Sequence, residues 1–160
     1  MTHSHNKELQ IGFRLKTVQI TECAFRKPEQ EIQKNQNFGF SFTFGVNFSK
    51  ENSEIIIEVG ARIFLSPKQQ IVIGEITTKT HFEINNFNEF VEEESRFAFP
   101  EDFIVMLMSI SFSTLRGIVL EKTASTLQQP IVLPVININE IIKKQKPKNK
   151  IKSHTTIHTI

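Results

Sequence analysis

Hydrophobic and polar residues alternate strictly from Phe38 to Phe48, and this stretch is the clearest signal in the chain. Every second position is apolar, five of these positions carry phenylalanine, and the intervening positions are glycine, serine, threonine or asparagine. A period of two is the period of a β-strand, because a helix would scatter these rings around its axis. Burial of one such side chain is worth about 1.5–3 kcal/mol. The rest of the chain is therefore expected to cover the aromatic face of this strand.

Three further stretches alternate in the same way. The first runs from Leu9 to Phe25 and changes phase near Lys16 and Thr17, which predicts a long strand with a β-bulge. The other two run from Ile55 to Leu65 and from Gln70 to Ile84. Because most of the intervening segments are short and polar, neighbouring strands are expected to pair antiparallel. The pattern predicts a four-stranded antiparallel sheet with one buried face.

A mostly apolar segment from Phe103 to Leu115 predicts a helix, which Gly117 is expected to end. Such a helix has only a narrow small or polar stripe, so it needs apolar neighbours on more than one side. One side can cover the sheet, and we expect a second subunit, in a dimer or tetramer, to cover the other. The alternative is a helix deeply buried within one monomer. The residues expected at the oligomer interface are Phe103, Val105, Met106, Met108 and Phe112.

Charge is distributed unevenly along the 160 residues. Six lysines lie between Lys143 and Lys152, whereas all 17 acidic residues lie at or before Glu140. Residues 1–142 are expected to form a single domain, and Asn137 or Asn139 to cap a second helix at its end. Residues 143–160, called the basic tail below, are expected to be disordered because they contain too few apolar residues to fold. The body is thus acidic and the tail basic.

The composition argues for a soluble protein of the cell interior. The single cysteine, Cys23, excludes an internal disulfide framework and fits a reducing compartment. The residues from Met1 to Lys7 are polar and do not have the pattern of a signal peptide. The longest apolar run, Phe103 to Met108, is too short to cross a bilayer. We expect a cytoplasmic location without membrane insertion.

No group of residues predicts catalysis, a cofactor or a metal site. The acidic run 92–94 is typical of a solvated surface, and the chain has no glycine-rich phosphate loop. The pairs His3 with His5 and His154 with His158 lie in ends that are expected to be disordered, with no cysteine nearby. The basic tail has no interleaved aromatic residues, so it is expected to be a solvated end; the alternative is binding of nucleic acid or anionic lipid through charge alone. We expect a protein that is not an enzyme and does not bind nucleic acid.

Short motifs, set in this order of predicted elements, resemble those of the SecB family of bacterial export chaperones. They are Phe99-Pro100 before the long helix, Thr114-Leu115-Arg116-Gly117 close to that helix, and Leu133-Pro134-Val135 followed by Asn137-Ile138 at the entry to the last helix. The resemblance implies an α+β fold, in which a four-stranded antiparallel sheet carries a long helix and a short C-terminal helix on one side. It also implies a holdase, a chaperone that binds unfolded or preprotein polypeptides and prevents their aggregation.

The resemblance further implies where a client polypeptide binds and which partners to expect. In the resembled family the client groove lies beneath the loop that joins the two helices. The corresponding apolar residues here are Ile118, Val119, Leu120, Leu127, Ile131 and Leu133, with Phe97 and Phe99 extending the lining. Either the export motor SecA or one dedicated client is the expected further partner. The alternative function is a non-enzymatic protein-interaction or small-ligand-binding module on the same fold.

Overall fold

The computed structural model describes residues 10–68, 70–92, 96–144 and the backbone of 155–159. The elements follow one another as four strands, a short turn, two helices and a last strand. They are β1 (Phe13–Phe25), β2 (Gly39–Ser49), β3 (Glu54–Phe64), β4 (Val72–Ile84), a 3-10 turn (Phe87–Phe90), α1 (Glu101–Thr126), α2 (Ile138–Lys144) and β5 (Thr155–Thr159). The expected α+β fold class is confirmed.

All neighbouring strands of the sheet are antiparallel, in the order β1-β4-β3-β2-β5. The register of β1 against β4 shifts between Leu15 and Thr17, so Lys16 is an extra residue. This confirms the bulge that the change of phase predicts. A second shift follows between Ile20 and Glu22. The sheet is therefore continuous across both irregularities.

The aromatic face of β2 packs against α1. The rings of Phe42 and Phe112 meet edge to face, with their centroids 5.1 Å apart, and both side chains are buried. β3 and β4 contribute branched aliphatic side chains to the same layer, among them Ile57 and Ile76, which are fully buried. Leu115 of α1 is fully buried on the same side. The core thus lies between the sheet and one face of α1, as the alternation predicts.

Seven phenylalanines pack together at the far end of β2, and we call them the phenylalanine cluster. Their ring centroids lie 4.4–6.1 Å from those of neighbouring rings. The cluster comprises Phe13, Phe48, Phe87, Phe90, Phe97, Phe99 and Phe103. Phenylalanine has no hydroxyl group that needs a hydrogen-bond partner, so such a cluster can close over without water. The cluster joins the start of α1 to the sheet.

α1 does not end at Gly117 but continues to Thr126, so that expectation is wrong. Gly117 is exposed, its φ is not positive, and no atom lies within 4 Å of the position of an added Cβ. Glycine inside a helix costs about 1 kcal/mol relative to alanine. Burial of Leu115 before the glycine and of Val119 and Thr123 after it outweighs that cost. These side chains hold the helix against the core on both sides of Gly117.

The length and composition of α1 would suffice for a membrane-spanning helix. α1 is longer than the apolar run Phe103 to Met108, because the helix continues through residues of mixed polarity to Thr126. In this structure one face of α1 belongs to the core under the sheet. The core helix of a soluble protein can have the same length and apolar composition as a membrane-spanning helix. The absence of membrane insertion stays a prediction.

The C-terminal region differs from the sequence expectation in one part. α2 begins at Ile138, and the backbone N–H of Asn139 donates to Oδ1 of Asn137 at 3.1 Å, which confirms Asn137 as a cap. Residues 143 and 144 of the basic tail belong to α2 and residues 155–159 form β5, so the expected disorder is corrected at both places. Residues 145–154 lie outside the described residues. The division between domain and tail stays a prediction.

Candidate functional site

An apolar groove opens beside the start of β2. Phe38 and Phe40 form one wall, and residues 134–136, which lie between α1 and α2, form the other. The groove has a volume of about 770 Å³, within the roughly 300–1,000 Å³ that is usual for ligand sites. The remaining lining residues are Gln36, Asn37, Ser66, Pro67 and Lys68. This surface, called the apolar groove below, is the candidate binding surface of the described part of the chain.

The wall formed by β2 depends on glycine at its first residue. A Cβ on Gly39 would lie 3.1 Å from both Cα of Pro67 and the carbonyl oxygen of Ser66. Glycine therefore lets the strand pass close to the turn between β3 and β4. The side-chain amide of Gln36 also donates to the carbonyl oxygen of Leu65 at 2.8 Å. The segment that leads into β2 is thus fixed against the end of β3.

Two side chains of α1 hold the segment that leads into the opposite wall. Nε of Arg116 donates to the carbonyl oxygen of Leu133 at 3.1 Å. The hydroxyl of Thr123 accepts the backbone N–H of Ile131 at 2.8 Å and donates to the carbonyl oxygen of Val119 at 2.7 Å. The bonds to Leu133 and Ile131 give partners to buried backbone groups of an irregular segment. Without partners, these buried groups would cost free energy. Arg116 in the Thr-Leu-Arg-Gly motif therefore has a structural role.

The segment between the helices keeps two valines in solvent. Val132 is 62% exposed and Val135 is 82% exposed, although both are apolar. Val135 lines the apolar groove and Val132 does not. Of the described residues that line the groove, Lys68 alone carries a charge. The arrangement can bury apolar side chains of a partner, and its charge does not favour an anionic or cationic substrate strongly.

The main buried charge of the fold lies on the opposite face of the sheet. The carboxylate of Glu54 is almost fully buried and receives hydrogen bonds from the ammonium of Lys16 and, at 3.1 Å, from Nδ1 of His81. These hydrogen bonds, that of Lys16 first, lower the pKa of Glu54 below its ordinary value of 4.5, against the opposing effect of burial. Lys16 reaches Glu54 from the bulge of β1. The cluster joins β1, β3 and β4.

The structure does not bring the predicted client-binding residues together in one groove. Val119, Leu127, Ile131 and Leu133 are buried in the core, and Ile118 is partly buried on α1. Leu120 is exposed on the outer side of α1. A client would meet the four buried side chains only if the segment between the helices opened. Their role in client binding stays a prediction.

Phe97 and Phe99 lie in the phenylalanine cluster, far from the apolar groove. Both rings stack on Phe48, whereas the groove is lined by Phe40. Eight residues of extended chain separate these two positions of β2, a distance of about 26 Å. A polypeptide of that length would be needed to contact both.

Sequence reasoning missed the apolar groove. The alternation predicts that Phe38 and Phe40 lie in the core, and Pro134 and Val135 stand out in the sequence only as part of the family motif. The signal was present in the run from Ile131 to Ile136, which contains more apolar residues than one buried face can hold. Ile131 and Leu133 of this run are buried, whereas Val132 and Val135 are exposed.

The residues predicted at an oligomer interface divide between two faces of α1. Val105, Met108 and Phe112 are buried against the sheet of the same chain, and Phe103 belongs to the phenylalanine cluster. Met106 is exposed. It lies on the outer face of α1, which we define as Met106, Ile110, Ser113, Gly117 and Leu120. An oligomer through α1 therefore stays a prediction, and in this fold it would use the outer face.

Comparison with known proteins identifies the fold. No protein-family model matches the chain, and no curated protein matches it significantly. Among solved structures, the chain is similar to the SecB-like chaperone Rv1957 of Mycobacterium tuberculosis, solved in complex with a ChAD peptide from the Rv1956 HigA1 antitoxin. The TM-score is 0.55 at 9% sequence identity, over 78% of this chain and 88% of that one. The protein has a SecB-like fold, as the sequence resemblance predicts.

A second solved structure covers a similar share of the chain. It is a protein of unknown function from Streptococcus agalactiae, with a TM-score of 0.39 and 15% identity over 79% of this chain and 99% of that one.

Proposed function

We propose that this protein is a non-enzymatic chaperone that holds extended, apolar polypeptide segments in the apolar groove. The observation that carries the proposal is the groove itself, in which exposed Val135 lines the same volume of about 770 Å³ as Phe38 and Phe40. Such a surface binds partners by removing apolar side chains from water. The SecB-like chaperone of similar fold was solved with a bound peptide, which supports a polypeptide as the ligand here.

Replacement of Val135 by aspartate tests this function. The new carboxylate would lose water whenever an apolar segment enters the groove, so client affinity should fall by about tenfold or more. Because Val135 is 82% exposed, the free protein should keep its melting temperature. The measurement is the suppression of light scattering by an aggregating, chemically unfolded client, together with the affinity for a soluble unfolded one.

Val132→Asp is the matched control because Val132 is an exposed valine of the same segment that does not line the groove. It should retain full aggregation suppression. Equal losses in both variants would show that the segment acts only through its net charge. A wild-type protein that never retains an unfolded client would contradict the chaperone function.

Binding of a small apolar ligand is the second candidate function, and the volume of the groove favours it. About 770 Å³ accommodates a drug-sized molecule. Val135→Asp would weaken the binding of polypeptides and of small ligands alike. The two functions are therefore separated by which kind of molecule binds the wild-type protein. In the polypeptide function an unfolded client binds the wild-type protein directly, whereas in the ligand function a tight small molecule binds and unfolded chains do not.

The proposed chaperone works as a homo-oligomer in the cytoplasm, without a cofactor. Its partners are unfolded polypeptides, either those destined for export through a motor such as SecA or one dedicated client. The exposed apolar residues on the outer face of α1, Met106 and Leu120, support self-association. Pull-down from cells with and without the Val135→Asp change distinguishes a broad client range from a single partner.

A further inference from the structure

β5 covers the edge of the sheet that borders the apolar groove. Without it, β2 would be the last strand of the sheet, because the order is β1-β4-β3-β2-β5. β5 pairs antiparallel with β2, so that Thr155 lies opposite Phe44 and Thr159 lies opposite Phe40. Phe40 also lines the groove. The C-terminal strand thus ends beside the surface that the proposed function assigns to clients.

An uncovered β2 would present a row of unpaired backbone N–H and C=O groups. Such an edge accepts any extended segment as an additional strand, since the hydrogen bonds involve only the backbone. The sequence of β5, Thr-Thr-Ile-His-Thr, is rich in β-branched residues and contains no proline, as a strand requires. An unfolded client offers segments of the same kind. Client and C-terminal strand would therefore compete for one edge.

We propose that the edge of β2 is an acceptor for an extended client segment and that residues 155–159 are its resident occupant, displaced when a client binds. The inference rests on the proposed chaperone function and specifies how the client is held. A client strand on β2 would continue past Phe40 into the groove, where its apolar side chains meet Val135. The strand supplies affinity independent of sequence, and the groove supplies the preference for apolar segments.

The resident strand also protects the free protein. An open edge next to exposed apolar residues is a site for uncontrolled pairing with other chains. A segment of the same chain competes at an effective concentration on the order of millimolar, so weak segments are excluded. The apparent affinity for a client falls in proportion to the fraction of protein whose edge is open. If β5 occupies the edge nine-tenths of the time, its removal raises client affinity about tenfold.

Proline substitution within β5 tests the competition in the full chain. Successive backbone N–H groups of a strand point to opposite sides, so the double change Thr156→Pro and Ile157→Pro removes at least one N–H that faces β2. The matched control, Asn149→Pro with Lys150→Pro, places two prolines in the same tail outside β5. The probe is fluorescently labelled α-lactalbumin, reduced and alkylated so that it stays unfolded. We expect about tenfold tighter binding by the β5 variant and unchanged binding by the control.

Two further measurements on the same proteins separate failure of this inference from failure of the proposed function. A synthetic peptide of residues 153–160 should bind the β5 variant and not the wild type, and it should restore slow hydrogen exchange within residues 40–44, which β5 pairs with. Equal client affinity in all three proteins, or a peptide that leaves the exchange of β2 unchanged, would overturn the inference. If no protein binds α-lactalbumin, the proposed function fails, and the peptide measurement alone decides whether β2 accepts a strand.

Discussion

Single hydrogen bonds fix the segment between α1 and α2, which forms one wall of the apolar groove. Thr123 acts as donor and acceptor at once, because its hydroxyl bonds the carbonyl of Val119 and receives the N–H of Ile131. Leu127 and Ile131 are buried on either side of this connection. Aspartate at either position would introduce a charge into the core, so such variants report on stability and not on client binding.

Thr123→Val should destabilise the protein by about 1–3 kcal/mol. Valine has nearly the shape of threonine but leaves the buried N–H of Ile131 without its acceptor. The matched control is Thr114→Val. The hydroxyl of Thr114 bonds only the carbonyl of Ile110 within its own helix, so this change should cost less. The measurement is urea unfolding; equal costs for the two variants would contradict a role for Thr123 in holding the segment.

At the scale of elements, the two faces of α1 have different environments. The face with Leu107, Leu115 and Val119 is fully buried under the sheet. The outer face carries Met106 and Leu120 in solvent around the small residues Ser113 and Gly117. Small side chains allow another helix to approach closely, and the larger ones supply apolar area. This face is where a second subunit would pack.

Met106→Glu should dissociate the expected dimer or tetramer. A carboxylate within an apolar helix contact loses its water without gaining a partner. Light scattering at micromolar concentration should show the wild type as an oligomer and the variant as a monomer with an intact fold. Asn139→Glu, an exposed change on α2, is the control and should leave the size unchanged. A wild-type protein that is a stable monomer would disprove the oligomer.

At the scale of the whole molecule, charged side chains join the strands on the face of the sheet opposite the core. Arg14 pairs with Glu83, Arg62 with Glu75, and Lys79 with Glu58. These pairs are largely exposed, and each contributes little to stability. Glu54 is different because it is buried and bonded to two partners, Lys16 and His81, on neighbouring strands.

Low pH should reduce the free energy of unfolding, partly because the carboxylate of Glu54 becomes protonated. Because its pKa in the folded state is lowered, Glu54 contributes stability that is fully present above the ordinary value of 4.5 and is lost as the pH falls through the lowered pKa. Glu54→Gln should therefore reduce the free energy of unfolding at pH 7, and the difference from the wild type should shrink below pH 4.5. Glu58→Gln, a more exposed carboxyl on the same strand, is the control and should have little effect at either pH. A difference that stays constant down to pH 3 would contradict this role.

Most of the framework follows from the sequence because it depends on local periodicity. Alternation predicts the four long strands and their buried face, the change of phase predicts the bulge near Lys16 and Thr17, and Asn137 is one of the two caps predicted for α2. These features arise from neighbouring residues and from the need to bury one face of each element. The same logic places Phe42 in the core, but it assigns Phe112 to an oligomer interface, whereas the two rings meet edge to face in one core.

Only the tertiary structure decides which of several apolar surfaces remains open. Gly117 favours the end of a helix locally, but packing of Val119 and Thr123 carries α1 past it. Leu133 and Val135 are similar in sequence terms, yet one is buried and the other lines the apolar groove. The strand formed by residues 155–159 likewise takes its place in the sheet by pairing with the edge of β2. These outcomes depend on contacts between segments far apart in the chain, which periodicity does not encode.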